Sequence, residues 1–278
     1  MKVHVDLDGW YWEDPQRHWN FEAYAHLGPD DVHLFIGQFR LAEKVKDLPG
    51  RKYLIAIEEQ SRPTGPQDSH DRECLPWCDK LFTFAPLAVK LQRRTYAYIP
   101  FNEEKLPENL LGPAEKKYDV VYCGNIFTGR PYFDEIFNTM PKFDHRLVSF
   151  QAGPHVTNPR MTYVEKLNVI NQCRVTISHN LAAEDSPQLK TRPFEAAFCK
   201  SLMLSHRAFG KEVLEPWFEE GKHFLYYDNL EETLTDVLAN YDQYHTMIEE
   251  TYDYAMNRFT CKHFVEDFVL DGKLEDTN

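Results

Sequence analysis

What most limits how this chain can fold is the division of its apolar segments into two sets. Five short runs lie in the first hundred residues: KVHVD (2–6), VHLFIG (32–37), YLIAI (53–57), LFTF (81–84) and YAYI (96–99). Five more follow residue 117: YDVVYC (118–123), RLVS (146–149), RVTIS (174–178), SLML (201–204) and FLYY (224–227). Each is rich in β-branched or aromatic residues and apolar along most of its length. Strands buried on both faces of a parallel sheet read this way. Helical patterns separate many of them: EDPQRHWNFEAYAHL after the first run, FRLAEKVKDL after the second, and TYVEKLNVINQ before the run at 174. The clearest covers 229–259, where Leu234, Val237, Leu238, Tyr241, Tyr244, Ile248, Tyr252, Ala255 and Phe259 recur at three- and four-residue steps. Alternating strand and helix patterns predict an α/β architecture with parallel sheets.

Between the sets lies NEEKLPENLLGPAEKK (102–117), charged, with two prolines and no strand pattern. It reads as an interdomain linker. The expected organisation is one Rossmann-like domain over 1–101, the linker at 102–117, a second Rossmann-like domain over 118–258, and a C-terminal helix over 259–278 that returns to the first domain. Phe264 and Phe268 are too apolar for a free tail and are expected to pack on the first hundred residues. Two doubly wound sheets face each other across a cleft in this reading, with ligands at the carboxyl ends of the strands.

A formal net charge of −13 argues against a general nucleic-acid or anionic-membrane surface, since both need basic footprints. No run approaches a membrane span, and the N-terminus lacks the apolar core of a signal peptide. The six cysteines are mostly scattered among apolar neighbours, which predicts reduced core thiols and a cytoplasmic location. His70, Cys74 and Cys78 are spaced four apart. That is not a zinc-finger spacing, and no second ligand pair follows, so no metal site is expected.

KTRPFEAAFCKSLMLS (190–205) places Lys190, Arg192 and Glu195 at the start of a buried helix. Arg192 and Glu195, at i and i+3, suit a surface ion pair. They equally suit a grip for a ligand that carries both phosphates and hydroxyls. Gly124, after the run at 118, permits a tight turn and close backbone approach. His179 and Asn180 end the run at 174, at the cleft edge expected of such strands and placed to contact a ligand there; Asn180 equally suits a capping role.

In order, TYVEKLNVINQCRVTISHN, LKTRPFEAAFCKSLMLSH and EEGKHFLYYDNLEETLTDVLANYDQY resemble the donor half of group 1 glycosyltransferases, in particular the spore-maturation-type branch. The resemblance covers roughly 118–265. It implies the GT-B fold, with two Rossmann-like domains flanking a nucleotide-sugar cleft. It also implies that Glu195 accepts hydrogen bonds from the donor ribose, a vicinal diol suited to a bidentate acceptor. Lys190 or Arg192 would neutralise the departing diphosphate, and the helix start would add amide donors. Arg130 stands where the family often places a phosphate-binding cation. Asn125 stands where many members carry arginine. Eight residues before Glu195 the retaining branch carries a second glutamate; this chain has Pro187, so the motif does not give the stereochemical outcome.

In the first half, Asp8 follows the first strand and is the candidate general base, with Glu58 and Glu59 at another strand end as alternatives. Trp10, Tyr11 and Trp12 suit ring stacking. The expected activity is metal-independent transfer of a hexosyl or pentosyl group from a UDP- or GDP-linked co-substrate. No cofactor is expected. The acceptor is a hydroxyl of a glycan, lipid-linked glycan or protein. A modified DNA base is a variant that the acidity disfavours and that a basic groove at Arg93 and Arg94 would favour. The alternatives are a sugar-nucleotide epimerase and a noncatalytic sugar-nucleotide or glycan-binding module.

Overall fold

A computed structural model describes residues 3–7, 32–37, 51–56, 78–84, 94–124, 131–149, 156–159, 161–181 and 187–269. The chain forms two compact units. Unit 1 comprises Met1–Glu103, Leu181–Leu189 and Arg258–Asn278; unit 2 comprises Glu104–Asn180 and Lys190–Asn257. The helices expected at 13–27 and 39–48 lie outside the described residues.

Unit 1 carries five parallel strands: β1 (Val3–Leu7), β2 (Val32–Gly37), β3 (Arg51–Ala56), β4 (Lys80–Thr83) and β5 (Arg94–Tyr96). They lie side by side in sequence order, with no reversal. The C-terminal segment closes this unit. Phe101 N–H donates to Phe259 O at 2.8 Å, and Cys261 N–H donates back to Phe101 O at 3.0 Å. A short helix, Cys261–Phe264, then runs into a π-helical turn over Val265–Val269. Phe264 is fully buried and meets Phe82 at 5.5 Å and Tyr98 at 5.6 Å, ring edge to ring face. Phe268 meets the same two rings at 5.7 and 5.4 Å. Leu189, late in the chain, also joins unit 1, its N–H donating to Phe84 O at 2.8 Å.

Unit 2 carries six parallel strands: β6 (Tyr118–Cys123), β7 (His145–Ser149), β8 (Asn158–Pro159), β9 (Cys173–Ser178), β10 (Leu202–His206) and β11 (Leu225–Tyr227). Their order is β11-β10-β9-β6-β7-β8, so the direction of winding reverses between β6 and β9. Numbered from β6, this is the 3-2-1-4-5-6 arrangement of a doubly wound nucleotide-binding sheet. The helices are α1 (Pro131–Thr139), α2 (Tyr163–Asn171), α3 (Arg192–Phe198), α4 (Arg207–Leu214), α5 (Leu230–Ala239) and α6 (His245–Met256). α1 packs beside α5, while α2 packs beside α3 and α3 beside α6. Val120, Tyr122, Ile136, Leu147, Val175, Ile177, Leu204 and Leu234 lie in one buried core.

The long helical pattern at 229–259 is two helices, because Asn240 stops the first: its Nδ2 donates to Asp236 O at 3.0 Å. Much of the stretch read as a linker is bonded into unit 2. Lys116 is buried, and its Nζ donates to Asn171 O at 2.6 Å and Cys199 O at 2.8 Å, satisfying the carbonyl ends of α2 and α3. Burial pushes its pKa down to about 8.

Candidate active site

The carboxyl ends of β6 and β9 flank the point where strand order reverses, the place where open α/β sheets bind ligands. Arg192, the first residue of α3, spans it. Its Nη1 donates to Cys123 O at 2.7 Å, at the end of β6, and its Nη2 to His179 O at 2.5 Å, just beyond β9. The guanidinium also sits 5.2 Å from the Tyr122 ring centre. Gly124 is packed under this group. A Cβ there would stand 2.8 Å from Arg192 Nη1 and 2.9 Å from the Tyr122 hydroxyl.

Glu195 lies one helical turn further along α3 and is fully buried. It forms no ion pair with Arg192. Its Oε1 instead accepts from Lys166 Nζ of α2 at 2.6 Å, and Lys166 keeps 20% of its side chain exposed. Oε2 has no hydrogen-bond partner among the described residues. A buried carboxylate oxygen without a donor is costly, and a ligand hydroxyl relieves that cost. Cys123 faces the same group of charges. Burial pushes its thiol up to about 12, with Lys166, Glu195 and Arg192 acting as smaller and partly opposing influences.

The start of α3 supplies fewer amide donors than the sequence implied. Pro193 has no N–H, and Thr191 makes no side-chain cap. Lys190, half-buried, precedes the helix, and its charge reaches His179. His179 is fully buried, and its ring sits 4.8 Å from Phe133, 5.5 Å from Phe209 and 5.7 Å from Tyr132. Burial, and then the charges of Arg192, His206 and Lys190, push its pKa down to about 3, so the ring is neutral. Neither ring nitrogen has a partner among the described residues. Asn180 ties the ends of β9 and β10, accepting from Ser178 Oγ at 3.2 Å and donating to Ser205 Oγ at 3.1 Å.

The structure therefore brings Gly124, His179, Lys190, Arg192 and Glu195 to one sheet edge. Asp8, Asn125 and Arg130 lie outside the described residues, as do Trp10, Tyr11, Trp12, Glu58, Glu59, His70, Cys74 and Arg93. Cys78 is a buried free thiol donating to Lys52 O and Lys80 O, and no metal-ligating cluster occurs among the described residues. Lys166 escaped the sequence reading because it looks like an ordinary charge on an amphipathic helix. Among the described residues, no helix is long and apolar enough to cross a membrane.

No curated protein sequence matches this chain. Among solved structures it is similar to TarM (TM-score 0.57, 7% identity), covering 86% of its own length but only 54% of that chain. It is also similar to Anabaena HepE in complex with UDP and glucose (TM-score 0.61, 10% identity, 85% of this chain and 77% of that one). A third similar structure is an α-glucosyltransferase in complex with UDP and a 13-mer DNA (TM-score 0.57, 10% identity, 88% and 79%). At these identities the likeness concerns fold, and the fold is GT-B. The family described as glycosyl transferase-like matches residues 107–269, more than half of the chain, which takes in β6 to β11 and the whole edge built around Arg192 and Glu195. The chain belongs to that glycosyl transferase-like family.

Proposed function

We propose that the protein transfers a hexosyl or pentosyl group from a UDP- or GDP-linked donor to an acceptor hydroxyl, and that unit 2 holds the donor. One observation carries this: a fully buried glutamate, Glu195, keeps an uncommitted oxygen at the strand reversal of a doubly wound sheet. In the reading drawn from the resemblance, that oxygen takes the ribose diol. With Oε1 already held by Lys166, the diol meets chiefly Oε2 rather than both oxygens evenly. Glu195 exposes no surface in this structure, so donor entry entails a local opening at this edge.

Lys190 and Arg130 are the proposed diphosphate cations, neutralising the charge that builds on the leaving group without a metal. Asp8 is the proposed general base, and the nearest branch is the spore-maturation type. The acceptor we favour is a glycan, lipid-linked glycan or protein. The net charge of −13 weighs against DNA. The five described cysteines are free and buried, which supports the cytoplasm as the compartment.

Incubation with a panel of nucleotide sugars, followed by mass spectrometry with and without a chelator, tests the proposal. Slow hydrolysis to sugar and nucleoside diphosphate that survives the chelator is expected. An interconverted sugar nucleotide would establish an epimerase instead, and binding without turnover a noncatalytic module.

A further inference from the structure

The geometry points to Arg192 as a positioning residue that ties the ends of β6 and β9 together and thereby seats Glu195, rather than as the cation that holds the donor diphosphate. This rests on the donor reading above. An arginine that grips a diphosphate offers its planar fork of N–H groups to the phosphate oxygens. Here each terminal nitrogen already commits one N–H to a backbone carbonyl, Nη1 to Cys123 O at 2.7 Å and Nη2 to His179 O at 2.5 Å, which fixes the plane of the fork on the protein's own strand ends.

The two carbonyls belong to buried residues where neighbouring parallel strands stop pairing, so each needs a donor from elsewhere. The guanidinium supplies one to each and bridges the winding reversal. Gly124 belongs to the same device. The space that its missing side chain would fill is occupied by Arg192 Nη1, 2.8 Å from the position of a Cβ. The glycine is therefore required by the guanidinium itself. Glu195 is three residues along the same helix, so the anchor that sets where α3 begins also sets where the carboxylate sits.

This arrangement predicts a specific pattern of loss. A direct phosphate contact affects UDP and spares uridine. A positioning residue affects both, because the ribose seat moves with the helix. The test is to measure UDP and uridine affinities, and those of GDP and guanosine, for wild type, Arg192→Lys, Gly124→Ala and the double variant, with folding checked by circular dichroism. Lysine keeps the charge but cannot serve both carbonyls in one plane. Arg192→Lys is expected to weaken the nucleoside and the diphosphate by the same factor, about tenfold, the scale of one charge-assisted hydrogen bond. Gly124→Ala, which leaves the arginine in the chain, is expected to reproduce that loss, and the double variant to be no worse than either single one. Loss confined to the diphosphate, or additive losses from the two substitutions, would overturn the assignment of Arg192 alone. A wild-type protein that binds neither UDP nor GDP would overturn the donor reading beneath it.

Discussion

The two sheets are both parallel, yet they are finished differently. In unit 1 the strands run in sequence order and the C-terminal segment closes the packing with aromatic rings: Phe264 meets Phe82 and Tyr98 edge to face, and Phe268 packs against the same two rings. In unit 2 the order reverses between β6 and β9, and the gap at that reversal is spanned by charge, with Arg192 on two carbonyls and Glu195 on Lys166. Rings add stability without direction. Buried charges are costly unless every partner is in place, so they add little stability but leave an oriented, reactive edge. The contrast separates a unit whose described packing serves cohesion from one whose packing leaves a buried carboxylate oxygen uncommitted at the strand reversal.

The largest effects fall one on each side of that contrast. Phe264→Ala should lower unfolding free energy by about 3–5 kcal/mol through the cavity it leaves, while folded protein keeps its nucleotide affinity. Lys166→Met should cost a similar amount, about 3–5 kcal/mol, because it leaves Glu195 buried and unpaired. Adding Glu195→Gln should recover part of that loss. Denaturant titration of the variants, with UDP binding alongside, checks both, and a Phe264 variant that loses nucleotide affinity while folded would break the comparison.

A smaller effect concerns pH. The His179 pKa is about 3 in the folded chain against an ordinary 6.5. Between those values the unfolded chain holds a proton that the folded chain lacks. Stability should therefore climb as pH rises through that window, by up to about 1.4 kcal/mol per pH unit from this group, and gain nothing from it above 6.5. His179→Phe should remove that component, as denaturation at pH 4.5 and 7 in about equal salt would reveal. The smallest effect belongs to the exposed pair Lys142–Glu231, roughly half exposed on both sides. Its removal should change stability by less than about 1 kcal/mol, against the several expected for the buried pair Lys166–Glu195.

The strands were legible because buried parallel strands are apolar runs: β5 (Arg94–Tyr96) shares only Tyr96 with the run at 96–99, but nine others overlap such runs over most of their length. β8 was not, since Asn158–Pro159 is a two-residue edge pairing with no apolar signal. Gly124, His179, Lys190, Arg192 and Glu195 were legible as candidates that meet at one edge, but not as a set of partnerships. Arg192 and Glu195 at i and i+3 suited a ligand grip or a mutual ion pair, yet within the fold each is bound by a group distant in sequence: Cys123 and His179 for the one, Lys166 for the other. Gly124 read as room for a ligand, whereas the room is taken by an arginine 68 positions later. Lys116 read as a linker charge and proves to satisfy two helix ends. Spacing along a chain reveals neighbours on one element, and these contacts all join different elements.

The most direct test of the central claim, that Glu195 at the β6–β9 edge grips a nucleotide-sugar donor, is calorimetric titration of UDP and GDP into wild type and Glu195→Ala. Wild type should bind at least one of the two. The variant, folded by circular dichroism, should bind it about ten- to a hundredfold more weakly, the equivalent of about 1.5–3 kcal/mol of charge-assisted hydrogen bonding. Equal affinity in the two folded proteins would contradict the account and place the donor away from this edge.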